Sequence, residues 1–172
     1  MAADLYILIK NEFNDLANIE KAKMYAERTI RQIEEQLGEG SVTAYSGCPE
    51  DLDGLAYADF NVESGTFWMS LTLRNGYWIG YTAIHHSHII DDYKGEFMLC
   101  KDAHFMAKLL GESEVWYTSD MAMDQYDTNI SLDAFIAEKQ KQGYYAEFNP
   151  EELLKLPLHD RPLYSVYHDK FE

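Results

Sequence analysis

The sequence predicts an α+β fold: an antiparallel β-meander packed against a long N-terminal helix, with several short helices in the C-terminal half. Asn75-Gly76 separates two alternating runs, which is the strongest short-range signal for a β-hairpin. Apolar residues recur at three- and four-residue steps from Leu16 to Leu37, which predicts an amphipathic helix. Beyond the hairpin, short periodic segments alternate with glycines, which predicts short helices and strands.

In the first half of the chain, residues 5–9 are predicted to form a short strand or a buried segment that precedes the helix. The helix is expected to start at a cap residue, Asn14 or Asp15, and to end before Gly38, since glycine favours the helix C-terminus. The β region then follows, with strands predicted at 42–45, 55–62, 66–74 and 77–84.

The second half alternates strands and helices. Asp102 and Ser131 are candidate helix caps because their side chains accept hydrogen bonds from the first turn. The segment from Asn149 to Glu152 has the composition of a helix start, with a proline in its first turn. The predicted helices lie at 102–110, at 132–142 and after 149; the predicted strands lie at 97–100, 115–118, 144–148 and 163–171.

The Asn75-Gly76 turn also predicts the pairing register, because a two-residue loop places Arg74 opposite Tyr77. Successive side chains of a strand point to opposite faces, so the hairpin has two distinct sides. The first is the better core face and carries Phe67, Met69, Leu71, Leu73, Trp78 and Ile84. The second is mixed and aromatic, and is either covered in part by another helix or open for binding; it carries Trp68, Ser70, Thr72, Arg74, Tyr77, Ile79, Tyr81 and Ala83.

Length and composition predict a single globular domain over residues 1–172, with 47% apolar residues to build a core. The N-terminal residues lack a basic segment, and no run approaches the ~18 apolar residues of a membrane span. Cys48 and Cys100 do not form a disulfide framework. We therefore expect a cytoplasmic protein, with no membrane association and with both thiols reduced.

The formal net charge is −16, from 14 basic and 30 acidic residues. No Lys or Arg lies between Arg31 and Arg74, or between Lys108 and Lys139, although both windows are rich in acids. Most of these acidic residues are explained by solubility alone. The alternative interpretation is that some of them form a negative face that binds a basic partner. Direct nucleic-acid binding is disfavoured, because phosphate contacts need clustered Lys and Arg.

The sequence thus favours a binding or inhibitory protein that acts on a basic protein partner, of the immunity or antitoxin type, or an inhibitor of the phage type. Complementary charge would accelerate the encounter, and aromatic side chains are frequent anchors of interfaces. The candidate partner-binding residues are Glu50, Asp51, Asp53, Asp59, Trp68, Tyr77, Tyr81, Glu112, Glu114, Asp120, Asp124 and Asp127.

Two other functions remain open. A metal-dependent hydrolase would use His85, His86 and His88, since His86 and His88 point to the same side of a strand and two imidazoles at that spacing share a metal. A non-catalytic structural module would form a homodimer through the second hairpin face. The sequence contains neither a nucleophile elbow nor a phosphate-binding glycine loop, which favours a protein without catalysis or cofactor.

Overall fold

A computed structural model describes residues 4–85, 98–119, 131–149, 151–152 and 165–172. Within these ranges, the three helices are α1 (Ile19–Leu37), α2 (Met98–Leu109) and α3 (Leu132–Lys141). The strands are β1 (Asp4–Lys10), β2 (Val42–Thr43), β3 (Asp59–Ser64), β4 (Phe67–Arg74), β5 (Tyr77–His85), β6 (Glu114–Ser119), β7 (Tyr145–Glu147) and β8 (Val166–Lys170). All eight strands form one sheet, in the order β2-β3-β4-β5-β1-β6-β8-β7. The sheet is antiparallel except between β7 and β8, so the α+β class is confirmed.

The strand β1 lies in the middle of this sheet, between β5 and β6. Its residues Ile7, Leu8 and Ile9 are all fully buried, because helices cover the sheet on both sides here. A strand buried on both faces has a continuous apolar sequence instead of an alternating one. The short apolar run therefore predicted the strand but not its central position.

The hairpin of β4 and β5 turns at Asn75-Gly76, as the sequence predicts. Arg74 pairs with Tyr77 and Leu73 with Trp78, which is the predicted register. Gly76 has φ of 85°, a conformation that a residue with a Cβ adopts only at a cost. The Asn75 side chain accepts a hydrogen bond from the Leu16 backbone N–H at 3.2 Å, and this contact fixes the turn against the segment that precedes α1.

Helix α1 starts later than the sequence predicts. Its cap is Asn18, whose side chain accepts a hydrogen bond from the Lys21 N–H at 3.1 Å, so the prediction of Asn14 or Asp15 is wrong. Leu16 lies outside the helix because its carbonyl accepts a hydrogen bond from the N–H of Ala56 at 2.8 Å. The end at Gly38 is confirmed, with φ of 103°.

The predicted strand at 97–100 is also wrong, because α2 already includes Met98 and continues to Leu109. Its buried residues Cys100, Ala103 and Met106 recur at three-residue steps, which is a helical spacing. Asp102 therefore lies inside the helix and does not cap it. Ser131 does cap α3, since its side chain accepts a hydrogen bond from the Ala134 N–H at 3.2 Å.

Two apolar clusters lie on opposite faces of the sheet. The larger one lies under α1 and α2; there the Tyr25 ring stacks on Trp78 with 6.0 Å between ring centroids. The smaller one lies under α3 and comprises Leu8, Tyr77, Trp116, Leu132, Phe135, Ile136 and Val166. Met69, Leu71, Leu73 and Trp78 all belong to the larger cluster, as predicted for the first side of the hairpin. None of the helices in the described ranges is sufficiently long and apolar to cross a membrane.

Candidate functional site

Helix α3 covers only part of the second face of the sheet. Beyond it, the same face continues over β1, β5, β4 and β3, because side chains two residues apart on a strand share a face. No helix of the described ranges covers this part, which we call the open sheet face. It consists of Tyr6, Asp59, Asn61, Glu63, Trp68, Ser70, Thr72, Ile79 and Tyr81. Glu63 and Trp68 are exposed and the other members are half-buried.

The strand register arranges these side chains in three rows. The first row pairs Glu63 with Trp68, whose side chain remains 36% exposed. The second row runs Asn61, Ser70, Tyr81, Tyr6, and the third runs Asp59, Thr72, Ile79, Leu8. Tyr6 and Tyr81 have ring centroids 5.6 Å apart. The face therefore combines aromatic rings with short polar side chains.

The charge of the open sheet face is entirely negative, from Asp59 and Glu63. On the same side of the sheet, Lys10 and Arg74 lie towards the end covered by α3, and Arg74 is two residues along β4 from Thr72, the partner of Asp59. Lys10 Nζ lies 3.7 Å from Glu114 Oε1 and 3.7 Å from Asp133 Oδ1. Both open-face carboxylates are thus without a cationic partner among the described residues.

The acidic loop before β3 is an ordered turn. Asp51 Oδ1 accepts hydrogen bonds from the backbone N–H groups of Asp53, at 2.9 Å, and of Leu55, at 2.8 Å. An aspartate that accepts from its own downstream backbone stabilises a turn. The carboxylate of Asp51 therefore stabilises the turn, and the neighbouring Glu50, Leu52 and Asp53 are exposed.

The predicted partner-binding residues do not form one surface. Asp59, Trp68 and Tyr81 do lie together on the open sheet face. Tyr77, by contrast, is fully buried under α3, so its ring belongs to the core and is not accessible to a partner. The remaining candidates lie elsewhere: Glu50, Asp51 and Asp53 in the loop, Glu112 and Glu114 near the start of β6, and Asp120, Asp124 and Asp127 outside the described residues.

Glu112 and Glu114 are far from Asp59 and Glu63, the two carboxylates of the open sheet face. Strand β6 is four strand positions from β3, which is roughly 19 Å at the usual strand spacing. Glu114 accepts instead from a buried histidine on β8: its Oε2 lies 3.0 Å from His168 Nε2. Glu112 and Glu114 therefore belong to a different surface from Asp59 and Glu63.

The histidine cluster lies at the edge of the described chain. His85 is the last residue of β5, its side chain is outside the described part, and His86 and His88 are outside it altogether. Among the residues that the structure describes, no group of three or more His, Cys, Asp or Glu side chains is arranged to hold a metal ion.

A network around His168 could not be found from sequence spacing. Its Nδ1 lies 3.0 Å from Glu147 Oε2, its Nε2 lies 3.0 Å from Glu114 Oε2, and its ring stacks on Trp116 at 4.8 Å. Both nitrogens donate at the same time only in the doubly protonated imidazole. The available signal was the His168-Asp169 pair next to Val166 and Tyr167, and in the structure His168 joins β8 to the strands on both sides, β6 and β7.

A second network lies on the opposite face and includes Cys100. The Tyr117 hydroxyl donates to Asp169 Oδ2 at 2.7 Å, and His104 Nε2 lies 2.7 Å from the same oxygen. Burial raises the pKa of the Cys100 thiol to about 12. Since the thiolate is the nucleophile, this cysteine is suited to the core and not to catalysis.

A polar cleft of about 280 Å³ lies between α1 and the loop that joins α2 to β6. Arg28 lines it, with Cζ 5.1 Å from the centroid of the Tyr25 ring, together with Glu12 and Glu112. Burial, followed by the neighbouring Glu114, raises the pKa of Glu112. Because charges of both signs line the cleft, it does not favour one class of charged ligand.

No protein-family model, no curated protein and no solved structure matches this chain. In the described ranges, the open sheet face is the surface on which an exposed indole, tyrosine rings and carboxylates lie side by side. Aromatic anchors that become desolvated carry much of the energy of protein interfaces, and carboxylates favour a partner of opposite charge. The open sheet face is therefore the candidate site among the described residues.

Proposed function

We propose that the protein is an acidic cytoplasmic inhibitor that binds a basic protein partner through the open sheet face. It would act as an immunity protein, an antitoxin or an inhibitor of the phage type. One observation carries this proposal: the indole of Trp68, which is 36% exposed, lies opposite Glu63, and among the described residues neither Glu63 nor Asp59 forms an ion pair with a Lys or Arg. An aromatic anchor next to unpaired carboxylates is complementary to a cationic surface.

The charge of the whole chain supports a basic partner over a second copy of the same chain. A homodimer through this face would bring together two sets of Asp59 and Glu63, and two molecules of net charge −16 each. Like charges placed opposite one another disfavour association. A basic partner, in contrast, gains from the long-range field of the same charge, which increases its association rate.

The test begins with capture on the immobilised protein from a lysate of the source organism, and with purification of the captured protein. Association is then measured by surface plasmon resonance at 50 and 300 mM NaCl. We expect the captured partner to be basic. Its association rate constant should fall about tenfold or more from 50 to 300 mM NaCl, because the higher ionic strength screens the attraction between opposite charges.

Variants locate the binding surface. Trp68→Ala is expected to weaken binding about tenfold or more, as interface anchors do. Glu63→Gln removes one charge from the open sheet face, and Glu35→Gln removes one from the exposed side of α1 as a matched control. An acidic partner, binding that is insensitive to salt, or equal effects of both glutamate variants would refute the proposal.

A further inference from the structure

The open sheet face has a patch of short side chains between its aromatic rings, which we call the depression. Asn61, Ser70 and Thr72 occupy adjacent positions on β3 and β4 and have short side chains. Trp68 borders them at one end, and the pair of Tyr6 and Tyr81 borders them on the side of β5 and β1. A low polar floor between larger rings can accept a side chain from a partner.

The outer edge of the depression carries acceptors at regular spacing. Asp59, Asn61 and Glu63 alternate along β3 and point to one face, so neighbouring members lie about 6.6 Å apart along the strand. Neither Asn61 nor Ser70 hydrogen-bonds through its side chain to another described residue. Two carboxylates and an amide oxygen thus lie along β3, and the Ser70 hydroxyl lies beside Asn61 on β4.

We infer that this depression binds an arginine side chain of the partner, an inference that rests on the proposed function. A guanidinium is planar and presents five donors in a fixed fork, so it can donate to Glu63 and Asn61 while its face stacks on Trp68. Lysine has a compact ammonium that is more strongly hydrated and lacks the flat face. The depression therefore distinguishes the two basic residues, whereas the net charge of the protein does not.

The inference is tested with two synthetic peptides of equal charge, acetyl-Gly-Arg-Gly-Arg-Gly-amide and its lysine counterpart. Affinity is measured by titration calorimetry at 50 mM NaCl, and the contact residues are found from backbone and indole NMR shifts. The arginine peptide should bind about three- to fivefold tighter, since a guanidinium adds stacking to the charge interaction. The largest shifts should lie at Asn61, Ser70 and the Trp68 indole.

Ser70→Leu separates shape from charge, because it fills the depression and leaves Asp59 and Glu63 unchanged. In this variant the two peptides should bind with about equal affinity, and the binding of both should remain dependent on salt. Ser113→Leu is the matched control, since Ser113 is exposed in the loop between α2 and β6, and β6 lies four strand positions from β3. Circular dichroism and melting temperature establish that both variants are folded.

The outcomes separate the two proposals. Equal affinity for the two peptides, or an arginine preference whose shifts lie away from Asn61 and Ser70, would overturn the arginine site and leave the proposed function standing. A preference that persists unchanged in Ser70→Leu would overturn it as well. If neither peptide binds while a captured basic partner still binds through Trp68, the arginine site fails alone; if that partner is also absent, the proposed function fails.

Discussion

His104 Nε2 lies 2.7 Å from Asp169 Oδ2, and this contact joins α2 to β8. The same oxygen accepts from the Tyr117 hydroxyl at 2.7 Å, and the Asp169 side chain is only 12% exposed. One carboxylate therefore satisfies two polar groups from two different elements. Hydrogen bonds to a charged group are stronger than neutral ones, which makes Asp169 important for the position of β8.

Asp169→Asn is expected to lower the free energy of unfolding by about 1–3 kcal/mol, because Tyr117 and His104 lose a charged acceptor in a largely buried position. Urea denaturation followed by circular dichroism measures the difference. Glu35→Gln removes the same charge from an exposed position of α1 and should change stability by less than about 0.5 kcal/mol. Equal losses in both variants would show that the contact does not stabilise the fold.

The turn at Gly76 gives a second prediction about stability. Its φ of 85° is costly for a residue with a Cβ, so Gly76→Ala should destabilise the protein by about 1–2 kcal/mol. A Cβ at residue 76 would lie 3.5 Å from the Leu132 backbone nitrogen and 3.6 Å from Ser131 Cβ, so the alanine methyl group fits beside α3 and the cost comes from the backbone conformation. Thermal denaturation measures the loss, and a Gly76→Ala protein as stable as the unchanged one would contradict the turn conformation.

These two cases show which features the sequence could predict. The turn at Asn75-Gly76 and the cap at Ser131 are local, so the residue types alone were sufficient. The central place of β1 depends on pairing with β5 and β6, which are distant in the chain, and no local pattern encodes it. The His104–Asp169 contact likewise joins two residues that are 65 positions apart in the chain. The burial of Tyr77 depends on where α3 packs on the sheet.

Cys100 and Cys48 are expected to differ in reactivity. Burial raises the pKa of both thiols, to about 12 for Cys100, but Cys48 is half-buried and Cys100 is buried. At pH 8, Ellman's reagent should label Cys48 slowly and should label Cys100 only after unfolding in guanidinium. In Cys48→Ala, the native protein should therefore give no thiol signal before it unfolds. Labelling of Cys100 at a comparable rate in the native state would contradict its burial.

The same thiol predicts a loss of stability at alkaline pH. The folded state raises the pKa of Cys100 from 9.0 to about 12, so above pH 9 the unfolded chain loses this proton more readily than the folded one. The stabilising contribution is fully present below about pH 9 and disappears as the pH rises towards 12. The melting temperature should fall across this window, and Cys100→Ala should show a smaller fall. An equal fall in both proteins would exclude Cys100 as a cause.

Gly80 on β5 lies close to core residues of the two neighbouring strands, β4 and β1. A Cβ at this position would lie 2.9 Å from Met69 Sδ and 3.4 Å from the Ile7 carbonyl oxygen. Gly80→Ala should therefore cost about 1–3 kcal/mol, the usual range for an overpacked core. Met69→Val shortens the obstructing side chain, so the double variant should be less destabilised than the sum of the two single variants. Denaturation of all four proteins measures this coupling, and strictly additive losses would show that Met69 and Gly80 are not in contact.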